Sequence, residues 1–341
     1  MVTQTKTYQA AVLPQPNQNI VRAMLSLKTA EKPLRKPKPD ELLVKMEAAT
    51  FNPSDIAFMQ DNYQVKKQMP CVPGFEGAGI VVEVGSDLDT KRWLNKRVSC
   101  FSQQDKDGTW AEYFYAKTNE VLPVSDKLSA LQAATFFVNP FTAWGLFEIA
   151  LQRESTAIIA NAAGGRVADF LFEIANIHKV EVIAIVRKQK TATALLERGL
   201  KNVLIENDPD FESKLRKTAN KLNATTAFDA VGGQLSGQIF NLMPPDSEVV
   251  LYGGLSGKAI SGLNSLDLIF ENKMFTGFNL NDWIAENDAI SFEVARETLE
   301  NMILEGRIST KIQQKVTLSE LSKGLRSYIS AMSEGKVIIK F

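Results

Sequence analysis

The residues best suited to chemistry lie in one short tract, Ile158-Ile159-Ala160-Asn161-Ala162-Ala163-Gly164-Gly165-Arg166-Val167-Ala168. An apolar, strand-like run ends in small residues, and a helical pattern follows. Backbone N–H groups at such a helix start can hold a pyrophosphate, because they lack carbonyl partners within the helix and small residues let the phosphate approach. The helix dipole adds a favourable field for the negative charge. The duller reading is a plain Gly-Gly turn. The full G-x-G-x-x-G spacing is missing, and Arg166 stands where a glycine is expected.

The end of the following strand bears on which dinucleotide would fit. An Asp or Glu there holds a ribose 2′-hydroxyl, whereas an Arg nearby accommodates a 2′-phosphate. This strand ends Ala184-Ile185-Val186-Arg187-Lys188, with Lys190 beyond and no carboxylate. Arg187 can make charge-assisted bonds to a phosphate, and Lys188 and Lys190 add positive potential. On its own the cluster is a solvated basic loop. One β-α-β unit after the Gly-rich turn, it reads as a site for NADP(H).

Such tracts need elements to carry them. From about residue 127 strand-like runs (156–160, 182–186, 203–205, 227–231, 248–252) alternate with helical runs (167–176, 191–198, 213–222). This alternation predicts an α/β domain with a doubly wound, Rossmann-like parallel sheet and ligands at the carboxyl ends of its strands. Before it, short runs at 42–46, 80–84 and 97–101 predict a β-rich region, and Pro33, Pro37 and Pro39 predict a Lys-rich surface loop. Amphipathic helices are expected over 293–304 and 318–332, then a terminal strand over 336–341 that returns to the first region.

Composition narrows the function classes. A chain of 341 residues suits two domains, and its hydrophobic fraction of 45% is ordinary for a globular protein. Acidic and basic residues balance at 39 each, which argues against a nucleic-acid or anionic-membrane partner. Two cysteines, Cys71 and Cys100, rule out a disulfide framework and suit a reducing compartment. The single histidine, His178, is expected as a helix C-terminal cap or surface residue, and its isolation argues against a His-based triad or a multi-His metal site. No signal peptide and no apolar stretch of ~20 residues is read, so the expectation is a soluble, cytoplasmic protein.

Several blocks resemble the medium-chain dehydrogenase/reductase superfamily. Pro73-Gly74-Phe75-Glu76-Gly77-Ala78-Gly79, followed by Val81-Val82-Glu83-Val84-Gly85, is similar to its first-domain signature. Gly108-Thr109-Trp110-Ala111-Glu112-Tyr113, Asp229-Ala230-Val231-Gly232-Gly233 and Tyr252-Gly253-Gly254 follow in the family's order. Zinc-binding members carry a Cys near Asn52, a His where Phe75 stands, and a structural loop of four cysteines. None is present, so no tetrahedral thiolate and imidazole site can be assembled, and the resemblance is to the zinc-free branch. Within it, Asn52-Pro53-Ser54-Asp55-Ile56-Ala57-Phe58-Met59-Gln60-Asp61-Asn62-Tyr63 looks closest to the 2-enoyl thioester reductases, with the quinone oxidoreductases as the competing subfamily.

The resemblance implies a β-rich GroES-like catalytic domain over 1–126, an NADP-binding Rossmann-like domain over 127–280, and a segment over 281–341 returning to the first. It implies NADP(H) in a cleft between them. The implied cofactor contacts are Asn139, Gly164, Gly165, Arg166, Val167, Arg187, Lys188, Gln189, Tyr252, Gly253, Gly254, Leu255, Phe278, Asn279, Leu280, Asn281 and Lys336. Thr142 either hydrogen-bonds the nicotinamide carboxamide or helps begin a helix. It also implies a homodimer pairing through a strand near 274–280. Two departures stand out: Arg166 replaces a Gly, and Phe75 replaces a polar residue.

By the resemblance Tyr63 is the catalytic residue. Reduction of an activated C=C bond sends hydride to the β-carbon and builds charge on the carbonyl oxygen, so a donor aimed at that oxygen is the main requirement. A tyrosine, with an ordinary pKa of ~10, is a donor at neutral pH. The duller reading is a loop aromatic. Asn52 to Asp55 read as a turn and helix start, with Ser54 or Asp55 capping. The expected function is NADPH-dependent reduction of a 2-enoyl thioester or enone. Quinone reduction and a catalytically silent nucleotide-binding protein are the alternatives, the latter favoured by Arg166. The small-molecule substrate itself is not legible.

Overall fold

In the computed structural model, which describes residues 6–341, the strand Ala157–Ala160 is buried at all four positions. A strand covered on both faces needs no polar alternation and reads as an apolar run. It lies inside a six-stranded parallel sheet ordered Asn202–Ile205, Glu181–Val186, Ala157–Ala160, Thr226–Asp229, Glu248–Leu251, Met274–Gly277. Helices such as Arg166–Ile177, Gln189–Glu197 and Phe211–Leu222 connect the strands. The order reverses between Ala157–Ala160 and Thr226–Asp229, and ligands of such sheets bind outside the strand ends at that reversal. One face of this core holds Ile159, Ile183, Phe240 and Val249.

The other unit is built on a sheet ordered Ile312–Val316, Lys336–Lys340, Leu42–Thr50, Glu76–Val84, Arg97–Phe101, Val121–Pro123, with Tyr113–Ala116 also on Leu42–Thr50. The C-terminal strand Lys336–Lys340 runs antiparallel to Leu42–Thr50, so the chain end closes this unit. Phe51, Phe75, Trp110 and Tyr328 fill its core. No helix among the described residues is long and apolar enough to cross a membrane.

Two expectations are corrected, and the contact-defined units differ from the expected spans. The units divide at Val138/Asn139 and Leu299/Glu300 rather than at 126 and 280. Residues before 139 stay with the β-rich unit because the N–H groups of Phe137 and Val138 donate to Glu76 Oε1, at 3.1 and 2.8 Å. Residues past 280 stay with the parallel sheet because Trp283 Nε1 donates to Glu148 at 2.7 Å and Phe292 stacks on Phe141 at 4.8 Å. Pro33 lies not in a loop but at the end of the strand Lys28–Pro33, paired with Thr7–Val12, a terminal position where the missing N–H is tolerated. The helix expected over 318–332 is three pieces, Leu318–Glu320, Leu321–Ser330 and Met332–Glu334, the outer two being 3₁₀ turns. Glu320 turns its carboxylate back to the Thr317 N–H at 3.1 Å, which starts the chain in a tight turn.

Candidate functional site

In the parallel-sheet unit the tract after Ala160 turns through Ala162, at φ 46°, to Gly165, which caps the helix Arg166–Ile177. Gly165 brings no side chain to that helix start, and first-turn N–H groups have no carbonyl within the helix. A Cβ on Gly164 would come within 2.7 Å of Thr191 Cγ2, so the turn is as small as its neighbour requires. Arg166 leaves the turn: its guanidinium pairs with Asp169 at 2.6 Å, and Asp169 also takes Arg198 at 2.5 Å. A cradle of backbone donors beside a folded-away arginine fits a pyrophosphate.

A buried carboxylate that opens the Asp229-Ala230-Val231-Gly232-Gly233 block organises the reversal point. Asp229 Oδ1 accepts from Asn161 Nδ2 at 2.5 Å and from the N–H groups of Val231 and Gly232 at 2.7 and 3.1 Å. Its other oxygen takes the Ser236 hydroxyl, and Asn161 Oδ1 accepts from the Ala230 N–H at 2.8 Å. The loop Tyr252 to Leu255 lies on this platform, through Tyr252 N–H to Asp229 O at 2.9 Å and Leu255 N–H to Ala230 O at 3.0 Å. Gly253 has to be small there, since a Cβ would meet Ala230 O at 2.8 Å. Burial, and then nearby Asp229, pushes the Tyr252 hydroxyl well above its ordinary range.

Arg187, Lys188 and Gln189 follow the strand Glu181–Val186, all exposed. The neighbouring strand brings a carboxylate that the linear reading did not find. Glu206 N–H donates to Val186 O at 2.9 Å, one residue before Arg187. Burial raises the Glu206 carboxyl above the usual range while Arg187 pulls it down. Phe278 N–H donates to Leu251 O at 2.8 Å, and Asn279 Oδ1 accepts from Asn281 N–H at 2.9 Å to cap the helix Leu280–Glu286. Asn139 and Thr142 lie on the helix Val138–Gln152. Phe278 rests on the same helix at Gly145, where a Cβ would meet its ring at 2.7 Å. One carboxylate, Glu148, takes the indole N–H groups of both Trp144 and Trp283, each at 2.7 Å. All these positions except Asn139, Thr142 and their helix follow the carboxyl ends of successive parallel strands.

Tyr63 and Lys336 belong to the other unit. Lys336 is buried, its ammonium bonded to Asn52 Oδ1 and, at 3.4 Å, to Phe51 O. Asn52 Nδ2 in turn donates to Glu76 Oε2 at 2.9 Å. A lysine, an amide and a carboxylate thus line up through Asn52. Among the described residues no three His, Cys, Asp or Glu side chains gather as metal ligands. Cys71 and Cys100 are buried, and burial pushes both thiols up, Cys71 to about 11. His178 ends the helix Arg166–Ile177 as its C-cap.

Tyr63 follows the helix Pro53–Met59, with its ring 5.2 Å from Phe75, and Phe58 lies edge-on to Phe75 at 5.4 Å. Its hydroxyl donates to Gln103 Oε1 at 3.4 Å. Burial, and secondly Asp55, pushes Tyr63 up to about 12, so the hydroxyl keeps its proton. Asp55, rather than Ser54, serves the helix start: one oxygen accepts from Asn52 N–H at 2.7 Å and the other from Phe75 N–H at 3.0 Å. Burial lifts its carboxyl to about 7 against these two donors. Phe75 therefore has a packing role. It packs against both Phe58 and Tyr63.

Two family models match in the same order. Residues 38–126 match the alcohol dehydrogenase GroES-like domain, and 167–295 match the family described as zinc-binding dehydrogenase. The mitochondrial enoyl-[acyl-carrier-protein] reductase of Mus musculus is 27% identical over 304 residues, 87% of this chain and 80% of its own length. The chain belongs to the medium-chain dehydrogenase/reductase superfamily. A Mesorhizobium loti protein proposed to be an NADPH:quinone reductase is also 27% identical, with a TM-score of 0.90 over 100% of both chains. A mutant enoyl thioester reductase from Candida tropicalis, 20% identical, has a TM-score of 0.81 over 98% of this chain and 100% of its own, a likeness of fold. As in other medium-chain dehydrogenases/reductases, the chain pairs a GroES-like domain with a Rossmann-like one.

Proposed function

We propose that this protein is a zinc-independent, NADPH-dependent reductase of an activated C=C bond, with a 2-enoyl thioester or related enone as substrate. The observation that carries the reading is Tyr63, a half-buried phenol that burial keeps protonated and that donates only a long bond to Gln103. The helix start at Gly165 and the loops tied to Asp229 suit a dinucleotide. The likeness to enoyl-[acyl-carrier-protein] reductases supports the substrate class.

When bound, NADPH supplies the hydride. The chain supplies position and charge. Arg187, with Lys188 and Gln189, receives the 2′-phosphate, and the backbone from Gly164 to Val167 receives the pyrophosphate. Tyr63 donates to the thioester oxygen as negative charge collects there, which is the largest single contribution such a donor can make. The same hydroxyl is the proton source for the α-carbon, while the hydride adds at the β-carbon. The silent-protein alternative loses its main support, since Arg166 is drawn away to Asp169. Quinone reduction stays as a second reading because of the Mesorhizobium loti likeness. NADPH consumption across enoyl-CoA esters, enones and quinones separates the two: the enoyl thioesters should give the highest kcat/KM, and turnover of quinones alone would overturn the reading.

The assembly proposed is a homodimer. Met274–Gly277 is the edge of the parallel sheet, and the preceding helix Ser265–Phe270 leaves Ile269 65% and Phe270 78% exposed beside it. An open strand edge with exposed large apolar side chains is a template for pairing with a second copy. Phe270→Glu is expected to shift sedimentation toward the monomer. A wild type that sediments as a monomer at micromolar concentration would contradict the assembly.

A further inference from the structure

Lys67 is 7% exposed, and neither the cofactor nor the proposed chemistry uses it. Its ammonium donates to Lys106 O at 2.6 Å and to Ser102 Oγ at 3.4 Å, and lies 5.4 Å from the Phe75 ring centre. These partners adjoin two groups that contact Tyr63. Residues 102–106 include Gln103, which accepts from the Tyr63 hydroxyl, and Phe75 packs on the Tyr63 ring. The segment is fixed at both ends. Ser102 N–H donates to Phe75 O at 2.8 Å, and the Lys106 ammonium pairs with buried Glu120 and donates to Tyr115 O at 2.6 Å. Asp107 holds Val72 N–H at 2.8 Å and pairs with Lys32.

We propose that Lys67 is a positioning residue for Tyr63, bracing the two ends of the 102–106 segment against Phe75 and so aiming the phenol and its Gln103 partner. The inference rests on the role assigned to Tyr63 above. A buried ammonium is costly unless hydrogen-bonded, and here it makes two bonds and faces an aromatic ring. Its position ties the 102–106 segment, which carries Gln103, to Phe75. Burial lowers the Lys67 ammonium to about 8, with Cys71, Asp107, Glu120 and Asp55 facing it and pulling the other way. Because this pKa is depressed, the brace is charged below about 8 and neutral above it. A neutral amine keeps some donors but loses the charge-assisted bonds and the attraction to the ring.

The test is kinetics of the full chain on an enoyl thioester, for Lys67→Met, Tyr63→Phe and the double variant, with NADPH affinity measured separately. Lys67→Met should lower kcat by roughly tenfold to a hundredfold, the scale of a small misplacement of a reacting group. NADPH affinity should not change. The wild-type kcat should fall as pH rises through about 8, and this limb should be absent from Lys67→Met. In the Tyr63→Phe background Lys67→Met should cost nothing further. Defects that multiply, or a limb that persists without Lys67, would overturn the inference while leaving Tyr63 in its role. A Tyr63→Phe protein with wild-type kcat would instead remove the reading on which it rests. Should Lys67→Met not fold, Ser102→Ala removes one partner of the ammonium, and the limb should move to lower pH; an unmoved limb overturns the proposal.

Discussion

Tyr63→Phe is expected to lower kcat by about 10²–10³, the usual effect of losing one preorganised donor to a developing oxyanion. The ring should stay in place, because its packing on Phe75 involves no hydroxyl. That hydroxyl reaches Gln103 Oε1 at the long distance of 3.4 Å, so little native stability is at stake. In the proposed mechanism this interaction is made in the transition state, so kcat and kcat/KM should fall together and NADPH affinity should hold. With the phenol held at about 12, ionisation of Tyr63 itself should shape no part of the profile near neutral pH. Quinone reduction, which needs no proton on carbon, should be less sensitive. Steady-state kinetics with both substrate classes checks this, and unchanged kcat throughout would return Tyr63 to the status of a loop aromatic.

Arg187→Glu should weaken NADPH binding by about 1.5–3 kcal/mol or more, the scale of a hydrogen bond to a charged group, which is roughly tenfold to over a hundredfold in Kd. The substitution deletes a guanidinium and sets a second carboxylate beside Glu206, whose own carboxyl is already raised by burial. The 2′-phosphate would then meet a carboxylate in place of a guanidinium. NADH lacks that phosphate and should lose little. Fluorescence titration of both nucleotides against both proteins measures the difference. Equal affinity of the wild type for NADPH and NADH, or equal losses on substitution, would contradict the phosphate role of Arg187.

The parallel-sheet unit was legible for a physical reason. Strands such as Ala157–Ala160 are buried on both faces and appear as apolar runs, and each is followed by a turn and a helix. The candidate cofactor loops follow from that pattern, because ligands gather at strand ends. What a linear reading could not supply is contact between distant segments. Glu206 reaches Arg187 only because Asn202–Ile205 pairs with Glu181–Val186. Gln103 meets Tyr63 across 40 residues of sequence, and Lys67 meets Lys106 O across 39. Lys336, Asn52 and Glu76 become one buried chain only when the last strand closes on Leu42–Thr50. The contact-defined units extend past the change in sequence pattern for the same reason, since Glu76 and Glu148 bind residues beyond it.

In the proposed reaction NADPH-derived hydride reaches the β-carbon of an enoyl thioester while Tyr63 serves the oxygen. Turnover of a short 2-enoyl-CoA with NADPH deuterated at nicotinamide C4, followed by mass spectrometry of the product, tests it most directly. The expected product is a saturated thioester with one deuterium at C3 and a solvent-derived hydrogen at C2, formed far more slowly by Tyr63→Phe. An unreduced thioester, under conditions in which the same preparation oxidises NADPH with a quinone, would contradict it.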